Sequence, residues 1–184
     1  MAPSRIVFIR HAEKPGPGYG GGVDPNGTPD AFSLAVRGWQ RAGALARLFS
    51  ARDDPRLGPL RPSAIFAPRV DARSKSKRSS QTVDPLVALL NGSERVRYVT
   101  TYEKTDAHGV MNEVLAQRDV VLVSWEHKML PALPRCVPGA PAVPALWAPD
   151  RFDLLWILDR TDAGWSFSQQ PQLLLAGDRT DPIV

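Results

Sequence analysis

Short, continuously apolar runs recur along the chain, separated by stretches with helical periodicity. Residues 5–9 (Arg-Ile-Val-Phe-Ile) and 119–124 (Asp-Val-Val-Leu-Val-Ser) have the length and β-branched content of strands buried on both faces. Residues 64–67 and 97–101 are shorter strand candidates. Residues 33–50 carry Ala35, Trp39, Ala42, Ala46 and Phe49 on one stripe and Arg37, Gln40, Arg41 and Arg47 off it, which predicts an amphipathic helix. Residues 73–90 predict a helix in two pieces. Val83, Leu86, Val87 and Leu90 keep the i, i+3, i+4, i+7 spacing, while Pro85 kinks the helix or starts a new one capped by Asp84. Residues 106–117 predict a third helix, and residues 152–158 and 165–167 a final strand pair turning near Asp162-Ala163-Gly164. This alternation predicts an α/β fold with three layers, α/β/α: a mostly parallel central sheet, helices on both faces, and an antiparallel strand at the edge.

Two stretches resist regular structure. Residues 14–30 are dense in glycine, proline and asparagine, and residues 131–149 hold six prolines. Neither marks a boundary, and no repeat is visible, so the 184 residues are expected to form a single domain, 1–184. With 43% hydrophobic and 23% charged residues the balance is globular. Cys136 is alone, which excludes an intramolecular disulfide framework, and His11, His108 and His127 leave little material for a metal centre. No apolar run approaches the ~20 residues needed to cross a bilayer. Residues 6–9 are too short for a signal-peptide core, so a cytoplasmic protein without a membrane partner is expected. The formal net charge of +4 suits an anionic partner without selecting one. The basic run at 73–82 has no interleaved aromatics, so nucleic acid is not expected as its ligand.

In open α/β sheets, ligand sites gather beyond the carboxyl ends of the strands. The first strand ends in Arg10-His11-Ala12-Glu13-Lys14, and the apolar strand at 119–124 leads into Trp125-Glu126-His127. If the two strands are parallel neighbours, His11 and His127 emerge on one edge. Between them in sequence lies Arg73-Ser74-Lys75-Ser76-Lys77-Arg78-Ser79-Ser80-Gln81-Thr82, a cationic helix start where an anion can be held by backbone N–H groups and the helix dipole.

These residues, taken in order, resemble the histidine phosphatase superfamily, also called phosphoglycerate mutase-like, and in particular its small bacterial members. Arg10-His11-Ala12 is similar to the family's Arg-His-Gly at a strand end. The stretch Leu34-Ala35-Val36-Arg37-Gly38-Trp39-Gln40-Arg41-Ala42 is similar to its Leu-Thr-x-x-Gly-x-x-Gln-Ala helix start at Leu34, Gly38 and Ala42. Ser74, Arg78, Gln81 and Thr82 match its Ser-x-x-x-Arg-x-x-Gln-Thr, and His127 its late strand-end histidine. The sequence departs from the pattern at Ala12, at Ala35, and at Trp125-Glu126, where a glycine usually precedes the last histidine.

The resemblance implies a phosphoglycerate mutase-like fold and hydrolysis of a phosphomonoester through a phosphohistidine on His11. Arg10 and Arg78 offer planar forks that match phosphoryl oxygens, and His127 completes the phosphate site, most usefully when cationic. No cofactor or metal is implied, since two arginines and a second histidine supply the charge. The leaving-group acid is expected at Glu103, just after the strand at 97–101, with Asp106 and Glu126 as alternatives. The expected substrate is a phosphorylated small molecule or phosphoprotein. A phosphate-binding regulatory module with little turnover is the alternative. Mutase activity fits less well, because the chain has little room for insertions that bury a bisphosphorylated intermediate. The pocket wall is expected from residues 15–32 and the proline stretch. Lys75 and Lys77 read as a solvated basic face, and Trp125, Trp147 and Trp156 as core or rim aromatics.

Overall fold

The computed structural model describes residues 2–92 and 95–183. In chain order it comprises β1 (Arg5–Arg10), α1 (Val36–Ser50), β2 (Asp53–Asp54), β3 (Gly58–Pro59), β4 (Ala64–Phe66), α2 (Arg78–Asn91), β5 (Arg97–Val99), α3 (Ala107–Leu115), β6 (Val120–Trp125), the short α4 (Ala132–Arg135), β7 (Leu154–Thr161) and β8 (Gly164–Pro171). One sheet holds six strands in the order β5-β4-β6-β1-β7-β8, and β2 pairs only with β3. Strands β5, β4, β6 and β1 are parallel. Strand β7 runs against β1, and β8 against β7. The strand that opposes the rest is therefore β7, one in from the edge. The tight turn at Asp162-Ala163 folds β8 back outside it in the common direction.

Alternation along the strands builds the layers. In β1, Ile6 and Phe8 join a core with Val110, Met111 and Val114 of α3 and Leu133 of α4. Val7 and Ile9 point the other way, into a core with Leu45, Ala46 and Phe49 of α1 and Val83, Leu86 and Leu90 of α2. Strand β6 splits likewise, with Val121 and Val123 on the first face and Val120 and Leu122 on the second. Two buried faces explain why these strands are continuously apolar rather than alternating. Trp125, Trp147 and Trp156 are all buried in the first core.

Two predicted helices have different starts. Helix α1 begins at Val36, and α2 begins at Arg78 rather than at residue 73. The Asp71 carboxylate accepts the N–H groups of Arg73 and Ser74, and such a local turn competes with helix formation. Pro85 lies within α2 and neither splits it nor starts another helix. Asp84 is not a cap: its carboxylate accepts the Tyr98 hydroxyl at 2.9 Å.

Residues 14–35 are laid down by specific bonds rather than left as a plain loop. Gly22 bridges Ala35, Val23 bridges Pro29, the Asp24 carboxylate accepts the N–H of Asn26 and Thr28, and Trp39 Nε1 donates to Val23 O. Helix α1 meets the end of β1 at Gly38, where a Cβ would sit 2.4 Å from Glu13 O. Any side chain there would push the helix off the strand end that carries His11.

Candidate active site

Arg10, the last residue of β1, pairs in register with Trp125, the last of β6, and His11 N–H donates to Trp125 O at 3.0 Å. That pairing carries His11 and His127 out on the same edge of the sheet. Both line a cavity of about 240 Å³ with Arg78 and Ser79 from the first turn of α2, Ser74 and Ser76 before it, and Glu126. Pro68 and three lysines, Lys14, Lys104 and Lys128, complete the lining. The structure thus brings His11, Arg78 and His127 together in a cavity whose lining is strongly cationic.

His11 is buried, and its Nδ1 lies 2.7 Å from Ala12 O. A carbonyl oxygen only accepts, so Nδ1 carries the proton and Nε2 keeps its lone pair. Burial, reinforced by the charge of Arg10, pushes the His11 pKa down to about 3, so the ring is neutral at physiological pH. The neighbouring backbone is fixed as well. Ala12 N–H donates to Thr82 Oγ1 at 2.8 Å, and that hydroxyl donates to Arg78 O at 2.7 Å.

Arg10 is fully buried and is not among the residues lining the cavity. Its Nη1 donates to the carbonyls of Ala148, Pro149 and Arg151, and the guanidinium lies 3.9 Å from the centroid of the Phe152 ring. Nε and Nη2 are buried with no partner among the described residues. Burial lowers the Arg10 pKa to about 10, still fully charged at neutral pH. A buried guanidinium with free donors is costly to leave unpaired, and an anionic oxygen is the partner it fits. Arg78 is half-buried, held by Ser33 O through Nε and Ala31 O through Nη2, with only a long contact of 3.4 Å from Nη1 to Ser76 Oγ.

His127 sits in the turn after β6, with Nδ1 buried and without a partner among the described residues. Burial and then the charge of Arg10 bring its pKa down to about 4. The ring is therefore neutral in the free protein. The cationic form expected from the sequence requires an added negative charge, such as a bound phosphoryl group, to raise the pKa again.

The three acid candidates part company. Glu103 does not line the His11 cavity. Its side chain is 49% exposed, its carboxylate is bonded to Arg69 at 2.8 Å, and it lines a smaller neighbouring cavity. Strand β5 ends at Val99, and the turns that follow carry Glu103 toward Arg69. Asp106 is the N-cap of α3, accepting Gly109 N–H at 2.8 Å. Glu126 is the one carboxylate among the lining residues, with Lys104 Nζ 3.3 Å away.

The walls also differ from expectation. Apart from Lys14, residues 14–32 do not line the cavity. Their part is to hold Arg78 through the Ala31 carbonyl. The proline stretch lines a different, adjoining cavity. Lys77 is paired with Asp30, and Lys75 stands 5.8 Å from the Phe32 ring; neither lines the site. In the sequence, Lys14 and Lys128 carry no signal beyond adjacency to the strand-end motifs, and Lys104 carries none; its carbonyl accepts Trp125 Nε1–H at 2.8 Å. Among the described residues, no three His, Cys, Asp or Glu side chains are grouped as metal ligands would be, and no helix is long and apolar enough to cross a membrane.

No family model and no curated protein matches the sequence. Solved structures do match the fold. A phosphoserine phosphatase mutant from Entamoeba histolytica, in complex with phosphoserine, aligns over 93% of this chain and 98% of its own, at 10% identity and a TM-score of 0.53. The chain has the fold of the histidine phosphatases. A protein from Escherichia coli assigned as an alpha-ribazole-5'-P phosphatase aligns over 90% of this chain and 95% of its own, at 15% identity and a TM-score of 0.51. In this phosphoglycerate mutase-like fold, the cavity described above lies at the carboxyl ends of β1 and β6, where a switch in strand order places sites in open α/β sheets.

Proposed function

We propose that the chain, as one domain over residues 1–184, is a phosphomonoester hydrolase that works through a phosphohistidine on His11. The observation that carries this reading is the fixed tautomer of His11, with Nδ1 bound to Ala12 O, in the same cavity as Arg78 and His127. A neutral, buried imidazole with a free Nε2 is a nucleophile at any physiological pH. Nε2 attacks phosphorus, and the ester P–O bond breaks. Arg10, Arg78 and His127 hold the equatorial oxygens as their charge rises. Glu126 supports the role of proton carrier better than Glu103, because it alone of the candidates lines the cavity. It gives a proton to the departing alkoxide, then takes one from the water that splits the phosphohistidine to free His11 and inorganic phosphate. The charge comes from arginine and histidine, so the reading calls for no metal or cofactor. The substrate is a phosphorylated small molecule or phosphoprotein.

The test is phosphatase turnover paired with vanadate binding. Wild type should hydrolyse p-nitrophenyl phosphate with or without chelator and should bind vanadate. Arg78→Ala should lose most of both, and Arg78→Lys should recover only part, because a point charge does not reproduce the two-point fork. Equal vanadate affinity in wild type and Arg78→Ala would mean that the phosphate does not bind here.

A further inference from the structure

The His11 cavity adjoins a second, larger one of about 560 Å³, and His127 and Lys128 line both. The remainder of the second lining is apolar: Pro131, Leu146, Trp147, Ala148, Pro149 and Ile183. Its volume is that of an ordinary small-molecule site. Leu146 is 77% exposed, more than any other large apolar side chain among the described residues, and it stands at this concavity rather than on a convex face.

The walls are built rather than incidental. The Trp147 ring lies 4.7 Å from that of Trp156, centroid to centroid, and its Nε1 donates to Arg151 O. Ile183 is held at both backbone groups by the Gln169 amide, at 3.0 and 2.9 Å. The same segment also reaches the phosphate site. Ala148 and Pro149 line the apolar cavity, while their carbonyls accept Arg10 Nη1 at 3.3 and 2.6 Å. A phosphoryl group held between Arg10, Arg78 and His127 therefore has this cavity beside it, with His127 at the junction. A sugar or other polyhydroxyl body would find few hydrogen-bond partners there, whereas a hydrocarbon body buries Leu146 and is buried in turn.

We infer that the preferred substrate is the phosphate monoester of a small alcohol with an uncharged, apolar body, which occupies the cavity between Leu146, Trp147 and Ile183. This rests on the phosphatase reading and adds the class of leaving group to it.

The experiment is a kcat/KM series over n-alkyl phosphates from methyl to hexyl, with glycerol phosphate as the polar comparison. Each methylene that enters the cavity should raise kcat/KM about fourfold, and hexyl phosphate should exceed glycerol phosphate by about a hundredfold or more. Leu146→Glu should flatten the series, and Leu89→Glu, the same change at another exposed leucine, on α2 and away from both cavities, should leave the slope intact. A flat wild-type series with methyl phosphate still turned over overturns the inference and leaves the phosphatase reading standing. So does an unchanged slope in Leu146→Glu. No turnover of any ester together with no vanadate binding overturns both.

Discussion

Thr82 Oγ1 accepts the backbone N–H of Ala12 at 2.8 Å and donates to Arg78 O at 2.7 Å. One hydroxyl thus joins the residue after His11 to the first turn of the helix that presents Arg78. Thr82→Val keeps the shape but leaves the buried Ala12 N–H unpaired, at a cost of about 1–3 kcal/mol. Urea unfolding should show that loss, and kcat should fall while Thr82→Ser restores both. Wild-type kcat in Thr82→Val would show that the Ala12 amide does not position His11.

The protonation state of His11 is a direct consequence of its burial. Its pKa of about 3 lies below the ordinary 6.5, so the unfolded chain binds the proton more tightly than the folded one. Stability should therefore be fully present above about pH 6.5 and fall as the pH drops toward 3. Nitrogen-15 spectra at pH 5 and 7 should show the same neutral ring, protonated at Nδ1. A His11 titration near 6.5 would contradict this, and so would denaturation midpoints that do not change between pH 7 and pH 5.

The leaving-group acid is separable by substrate. Glu126→Gln should slow alkyl phosphates by ~10²–10⁴-fold and barely affect p-nitrophenyl phosphate, whose phenolate departs unaided. Glu103→Gln and Asp106→Asn should show no such selectivity, since one side chain pairs with Arg69 and the other caps α3. Loss of α3 stability in Asp106→Asn is expected to be modest, because asparagine caps nearly as well. A selective alkyl defect at Glu103 would return the role to that residue.

Arg41 is buried between Glu13 and Asp178, with Gln172 as a third partner. Burial works against its charge, but the hydrogen bonds it donates to Asp178 and Glu13 outweigh it and raise its pKa. The cluster ties α1 to the segment after His11 and to the C-terminal stretch. Arg41→Met leaves two buried carboxylates without this cation and should cost about 3–5 kcal/mol in urea unfolding. A loss under about 1 kcal/mol, the worth of an exposed pair, would show that the cluster relaxes into solvent.

Strands β1 and β6 were legible because both their faces are buried, which makes them continuously apolar, and the polar residues just past each end read as site candidates. Arg78 was legible through its place in a cationic run, although the Asx turn at Asp71 that delays α2 was not. The lysines were not legible. Lys14, Lys104 and Lys128 resemble any surface lysine until the strand ends bring them to one cavity. The preference for Glu103 over Glu126 rests on its place just after a strand, but which carboxylate lines the cavity depends on how the chain turns after Val99, and no local pattern shows that. Nor does any local pattern reveal that Glu13 is buried: its partners, Arg37 and Arg41, lie on α1, across the whole 14–35 stretch.

The most direct measurement is to quench the working enzyme with labelled phosphomonoester and map the label. An acid-labile, base-stable phosphoryl group is expected on His11 Nε2, absent from a folded His11→Ala variant that has also lost turnover. Label on any other residue, or substantial turnover by His11→Ala, would contradict it.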